Sequence, residues 1–347
     1  MAAIAVKPAG IVTPSGNGAA APQPGIAARP PGLIHLDEAL AVLQAHEDAW
    51  VATGIDERIA LLAEIRQRMA AIGERWVAAI LEAKGTTGDA FGQGEDWANY
   101  AVALRWMRLL HRSLHDIQRY GRPRLPAPPK VQPDGRVTVH VFPQTLFDRM
   151  LFMGASGEVW MQPGMTAGDV LARQAPAYRD KSHPGMTTLV LGAGNAAFLP
   201  LNDTLYQLFV ANHVALLKLN PVNAYLGPLL EEGLQPLVLR GFLRIVAGGA
   251  DEGAYLCAHP AVDAIHLTGS DKTFEAIVFG PGAAGQRRKA ERRPLLDKPF
   301  TAELGNVTPI IVVPGPWNQR NLREQALHLA TWLALNAGFN CLSARVI

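Results

Sequence analysis

The spacing of hydrophobic positions changes period twice along the chain. Ile55, Ile59, Leu62, Ile65, Met69, Ile72, Trp76 and Ile80 recur every three or four residues, which puts one apolar stripe on a helix. Gly73 interrupts that stripe and Gly85 closes it, while Asp56 stands where an N-cap is expected. Leu40, Leu43 and Trp50 predict a shorter helix capped by Asp37, and a third is expected over about 97–120, with Arg105, Arg108, Arg112 and His115 as its solvated face. Beyond the Pro-rich stretch 122–129 the period falls to two. Val137, Val139 and Val141 alternate with polar residues and Glu158-Val159-Trp160-Met161 follows, so both runs read as strands. From Met186 onward, apolar runs at 187–191, 214–218, 243–247 and 262–267 alternate with helical segments at 202–212, 224–240 and 251–258. Such alternation predicts an α/β fold, a parallel sheet covered by helices on both faces, with ligands at the carboxyl ends of its strands. The run 309–313 reads as one more buried strand, and 322–337 as a helix leading to Cys341.

Composition narrows the class. At 347 residues, 49% hydrophobic and 18% charged, the chain can bury a sizeable core in two domains. A net charge of +2 gives no footprint for nucleic acid or an acidic membrane, and no run reaches the eighteen apolar residues of a membrane helix. Cys257 and Cys341 are too few for a disulfide framework, so a reducing cytoplasm is expected. Residues 1–33, rich in Ala, Pro and Gly without the apolar core of a signal peptide, read as a disordered leader.

The chemistry gathers near the end of the chain, at Asn336-Ala337-Gly338-Phe339-Asn340-Cys341 and at Glu303-Leu304-Gly305-Asn306. A cysteine just past a helix and a Gly turn lies near backbone N–H groups that favour the thiolate, and a carboxylate elsewhere can serve as base. Together they are the minimum for covalent catalysis on a carbonyl. Singly, Cys341 reads as a small buried hydrophobe and Glu303 as a surface carboxylate. Upstream, Gly192-Ala193-Gly194-Asn195-Ala196-Ala197 follows a strand and spells a dinucleotide fingerprint. That fingerprint requires an acidic residue at the end of the next strand, where this chain has Lys218, so an ordinary Rossmann reading is disfavoured.

Taken in order, the Gly192–Asn195 loop, Leu216-Leu217-Lys218-Leu219-Asn220-Pro221, His266-Leu267-Thr268-Gly269-Ser270, the Glu303 segment and the Cys341 segment resemble the aldehyde dehydrogenase superfamily, over about 56–347. The resemblance implies a Rossmann-type nucleotide-binding domain over 34–130 and 163–302, an oligomerisation arm over 131–162, and a truncated second α/β catalytic domain from 303 to 347. It implies Cys341 as nucleophile, Glu303 as base and Asn195 as oxyanion donor, with Lys218 on the adenosine ribose, Ser270 on the pyrophosphate, and Gly194, Thr268, Gly269 and Leu304 also against the cofactor. The cofactor would be NAD, with NADP possible, and no metal is implied. The substrate would be an aldehyde, oxidised to the acid through a thiohemiacetal and a thioester in a homo-oligomer. Phe274, Asn306 and Gly194 depart from the family pattern, which has glycine at the first two positions and tryptophan at the third. The segment 280–299, with Arg287, Arg288, Lys289, Arg292 and Arg293, looks like an insertion and reads as a solvated loop. Because the family's chain continues past the nucleophile, little or no dehydrogenase activity is expected of these 347 residues. An inactive nucleotide-binding fragment and a CoA-acylating enzyme are the alternatives.

Overall fold

A computed structural model describes residues 31–180, 182–305 and 307–347. The expected leader lies outside them except for Pro31–Leu33, a 3₁₀ turn whose Leu33 is buried. Among these residues eight strands form two sheets. The larger contains β4 (Thr187–Leu191), β5 (Val214–Leu219), β6 (Leu243–Ala247), β7 (Ala264–Gly269) and β8 (Phe300–Leu304), all parallel, in the order β6-β5-β4-β7-β8. The chain moves outward from β4 to β6, then returns to place β7 on the other side of β4. That reversal opens a crevice at the carboxyl ends of β4 and β7.

Every residue of β4 and β5 is buried, the signature of a sheet covered on both sides. Helices Ile34–Gln44 and Ala250–Ala258 cover one face and are joined by Tyr255, whose hydroxyl donates to Asp37 at 2.5 Å. Helices Leu199–Tyr206 and Gly227–Gly233 cover the other. The predicted apolar stripe forms Ile55–Ala71 and Gly73–Lys84, the second ending at left-handed Gly85. Asp37 and Asp56 lie within the first turns of their helices and do not cap them; Leu33 and Gly54 hold the N-cap positions. Trp50 is fully buried, donates from Nε1 to the Leu208 carbonyl and stacks against Phe209 and Phe242. Burying such a side chain contributes about 1.5–3 kcal/mol, and this one joins the first helices to the sheet.

Three further expectations change. The segment 224–240 is not one helix but Pro221–Leu226, Gly227–Gly233 and Gln235–Leu239, restarted at Pro221, Pro228 and Pro236, where the ring favours a first turn over a helix interior. The helix expected over 202–212 starts earlier, at Leu199, and ends in a π turn at Gln207–Ala211. The run 309–313 forms no strand. Pro309 bridges Val346, and Ile311, Val312 and Val313 are exposed, because among the described residues no strand lies beside them.

The smaller sheet is antiparallel, with β1 (Lys130–Val131), β2 (Val137–Phe142) and β3 (Gly157–Trp160) in sequence order. Its connection to helix Ala90–Tyr120 corrects the reading of that helix's arginines. Arg105 donates to the buried Asp148 at 2.9 Å and Arg112 to Gln144 at 2.9 Å, so two members of the supposed solvated face anchor the arm.

Candidate active site

Parallel register assigns each strand-end residue to a face. Leu191, Lys218 and Leu267 are neighbours on one side, and His266, Thr268, Thr301 and Glu303 lie on the other. A cleft of about 2140 Å³ wraps over the carboxyl edge of the sheet and is lined from both sides. All nine residues singled out from the sequence border it: Gly194, Asn195, Lys218, Thr268, Gly269, Ser270, Glu303, Leu304 and Cys341.

At one end, the glycine loop meets the cysteine loop. Asn195 Nδ2 donates to the Phe339 carbonyl at 3.0 Å, and Asn336 Nδ2 donates back to the Asn195 carbonyl at 2.7 Å. Two side-chain amides thus tie segments more than a hundred residues apart. The chain leaves helix Gln319–Ala334 through Asn336, Ala337 and Gly338, at φ of 51°, 50° and 76°. Only glycine adopts this region freely, so Ala337 stores backbone strain of about 1–3 kcal/mol where the chain bends toward Cys341.

Cys341 is half-buried, and its thiol is not the ready thiolate that the sequence suggested. Burial and then the nearby Glu303 carboxylate push its pKa up, while the N–H groups of Cys341 and Leu342 pull the other way without prevailing. The thiol therefore rests protonated, within electrostatic reach of the Glu303 carboxylate. Glu303 itself is exposed to the cleft at the end of β8, which makes the proposed domain boundary at 303 fall inside a strand of the main sheet.

At the other end stands Lys218, 8% exposed, with its stem beside Gly253. Burial lowers its pKa against the opposing pull of Glu252, and its ammonium donates to no described residue. Cys257 lies nearby, buried, its thiol pushed up to about 12 chiefly by desolvation. Ser270 caps helix Asp271–Phe279, accepting from Thr273 N at 3.1 Å, and that helix opens its first turn to the cleft. A large groove with a buried cation that donates no hydrogen bond to the described residues and a helix N-terminus fits an anionic nucleotide. A Cβ on Gly194 would lie 2.9 Å from the Asn220 side chain and one on Gly192 would lie 3.2 Å from Pro200, so these glycines make room for protein.

Sequence reasoning missed several residues. Asn223 donates to the Ala193 carbonyl at 2.9 Å and fixes the glycine loop, and Asn220 fills the space beside Gly194. The segment 280–299 contributes differently from expectation: it forms helix Gly282–Ala290, Lys289 pairs with Glu275, Arg288 donates to the Phe279 carbonyl, and the cleft is lined instead by Leu295, Leu296 and Lys298. The apolar pair Leu295-Leu296 after a basic run was the only available signal. Among the described residues no group of three or more His, Cys, Asp or Glu side chains could hold a metal, and no helix is long and apolar enough to cross a membrane.

Known proteins with these features are consistent. Residues 208–347 match the model of the aldehyde dehydrogenase family. The N-succinylglutamate 5-semialdehyde dehydrogenase of Sphingopyxis alaskensis is 30% identical over 171 residues, 49% of this chain and 32% of that protein. The chloroplastic betaine aldehyde dehydrogenase of Beta vulgaris is 43% identical over 83 residues, 24% of this chain and 13% of that one. Among solved structures, an aldehyde dehydrogenase from Bartonella henselae superposes with a TM-score of 0.56 at 14% identity, over 89% of this chain and 51% of the other. The NADP complex of glyceraldehyde-3-phosphate dehydrogenase from Methanocaldococcus jannaschii gives 0.57 at 15%, over 89% and 54%. The chain thus spans about half the length of these solved structures. By sequence over residues 208–347 and by fold over 89% of its length, the chain is similar to aldehyde dehydrogenases.

Proposed function

We propose that this protein oxidises an aldehyde to a carboxylic acid with a nicotinamide nucleotide as acceptor, through a covalent intermediate on Cys341. The observation that carries this reading is the convergence of Asn195, Glu303 and Cys341 at one end of the cleft, with the Glu303 charge acting on the Cys341 thiol. Cys341 Sγ adds to the aldehyde carbon and Glu303 takes the thiol proton. The resulting oxyanion is held by Asn195, whose Nδ2 has a second N–H beyond the one given to Phe339. A nicotinamide nucleotide in the cleft supplies the acceptor for the hydride that leaves the former aldehyde carbon, and a thioester on Cys341 remains. Glu303 gives the thiol's proton to solvent and then deprotonates a water; the hydroxide adds to the thioester carbon, the C–S bond breaks to release the acid, and the thiolate takes back a proton from Glu303.

Lys218, on the opposite face of the sheet from Glu303, and the Ser270 turn hold the nucleotide in this reading. Solved structures of this fold include a complex with NAD+ and octanal and another with NADP, which supports a nicotinamide nucleotide of either kind. Assembly through the arm into a homo-oligomer, and a cytoplasmic site of action, belong to the same proposal. The test is NADH or NADPH formation by the native polypeptide with short-chain and aromatic aldehydes, beside Cys341→Ala. In a form of the protein that turns over, loss of that turnover in the variant, with nucleotide affinity unchanged by calorimetry, is the expected result. Undiminished turnover in Cys341→Ala overturns it.

A further inference from the structure

Beneath the reacting end of the cleft, four polar side chains form a chain between one helix and two strands. Thr268 Oγ1 donates to Asp203 Oδ2 at 2.8 Å, and His266 Nε2 faces Asp203 Oδ1 at 3.6 Å. Across the strand pair, His266 Nδ1 lies 2.8 Å from Thr301 Oγ1, its register partner. Asp203 and His266 are each 13% exposed at the side chain. A carboxylate and an imidazole in a mostly apolar layer are costly unless their hydrogen bonds are met, and here each is met by another member of the set.

The placement gives the network a purpose beyond packing. Asp203 belongs to helix Leu199–Tyr206, which begins four residues after Asn195. Thr301 lies two residues before Glu303 on β8, on the same face, and Thr268 is the register partner of Glu303. One network therefore connects the helix carrying the Asn195 loop with the strand carrying Glu303. Lys218 projects from the other face of the sheet and takes no part.

We infer that Asp203 and His266 are positioning residues, which hold Glu303 and the Asn195 loop at a fixed separation so that base and oxyanion donor act on one carbonyl. The inference rests on the proposed aldehyde oxidation. Asp203→Asn keeps the shape and loses the charge, Thr301→Val keeps the shape and loses the hydroxyl, and Thr301→Ser retains the hydroxyl. A displacement of base or donor by about 1 Å costs up to roughly a hundredfold in rate. Asp203→Asn and Thr301→Val are therefore expected to lower kcat about ten- to a hundredfold. Aldehyde KM and the calorimetric nucleotide Kd should stay within about twofold. Thr301→Ser should recover most of kcat, and the double variant should be no worse than the poorer single one.

Unchanged kcat in both isosteric variants, with an active native enzyme, refutes the positioning role alone. Parallel loss of kcat, nucleotide affinity and melting temperature shows a merely structural role and refutes it also. An inert native protein that nonetheless binds nucleotide overturns the aldehyde-oxidising reading, and this inference with it.

Discussion

Cys341 and Glu303 make opposing demands on each other, and their balance can be measured. The carboxylate raises the thiol pKa, so Glu303→Gln should increase the rate of Cys341 alkylation by iodoacetamide at neutral pH while slowing aldehyde oxidation. Slower alkylation in that variant would mean that the carboxylate activates the resting thiol instead of opposing its ionisation. Asn195→Ala should lower the chemical step by about 10²–10³ with little change in nucleotide affinity, checked by single-turnover kinetics and calorimetry. The nine candidate residues were legible in the sequence because each sits in a short segment with a fixed neighbour pattern. Asn223, Asn336, Asp203 and His266 were not legible as site residues, because their meaning lies in partners up to 141 positions away, such as Asn336 on Asn195.

Single elements carry the site through their ends. Helix Gln319–Ala334 delivers Cys341 only because Asn336, Ala337 and Gly338 turn left-handed, and a Cβ on Gly338 would lie 3.2 Å from the Leu333 carbonyl. Gly338→Ala should therefore displace Cys341 and depress turnover more than it depresses thermal stability. Equal activity would show that the loop tolerates another path. In the arm, Asp148 accepts from Gln144 N, Thr145 N and Arg105, and caps helix Leu146–Leu151 as the acidic member of a capping box. Arg105→Ala leaves that buried carboxylate short of its cation and should cost about 1–3 kcal/mol, seen as faster proteolysis within residues 143–157. Strands β2 to β7 were legible from period and apolar runs, whereas β1 and β8 were not, since Lys130–Val131 is too short and Phe300–Leu304 carries no continuous apolar run. The arginine anchor was not, since a helical face of spaced arginines reads the same whether it meets water or a buried aspartate.

For the whole molecule, parallel register puts Lys218 and Glu303 on opposite faces of one carboxyl edge, and the buried His213 makes the fold lose stability in acid. Burial lowers the His213 pKa to about 4, against an ordinary value near 6.5 in the unfolded chain. Below pH 6.5 the unfolded chain binds the extra proton, so this contribution is fully present above that value. It is lost as pH falls toward 4, by about 3 kcal/mol in all. His213→Gln should flatten the denaturation midpoint between pH 7 and pH 4.5, and an unaltered slope would assign acid sensitivity elsewhere. What the sequence could not convey at this scale is the fate of 309–313, whose apolar run specifies a strand only where a neighbour exists to pair with it. The most direct test of the account is the mass of the Cys341 peptide after acid quench of a single turnover with aldehyde and NAD. The account predicts an acyl adduct on Cys341 that requires both reactants, decays by hydrolysis and is absent from Cys341→Ala; nucleotide reduction without that adduct, or with the adduct on Cys257, would contradict it.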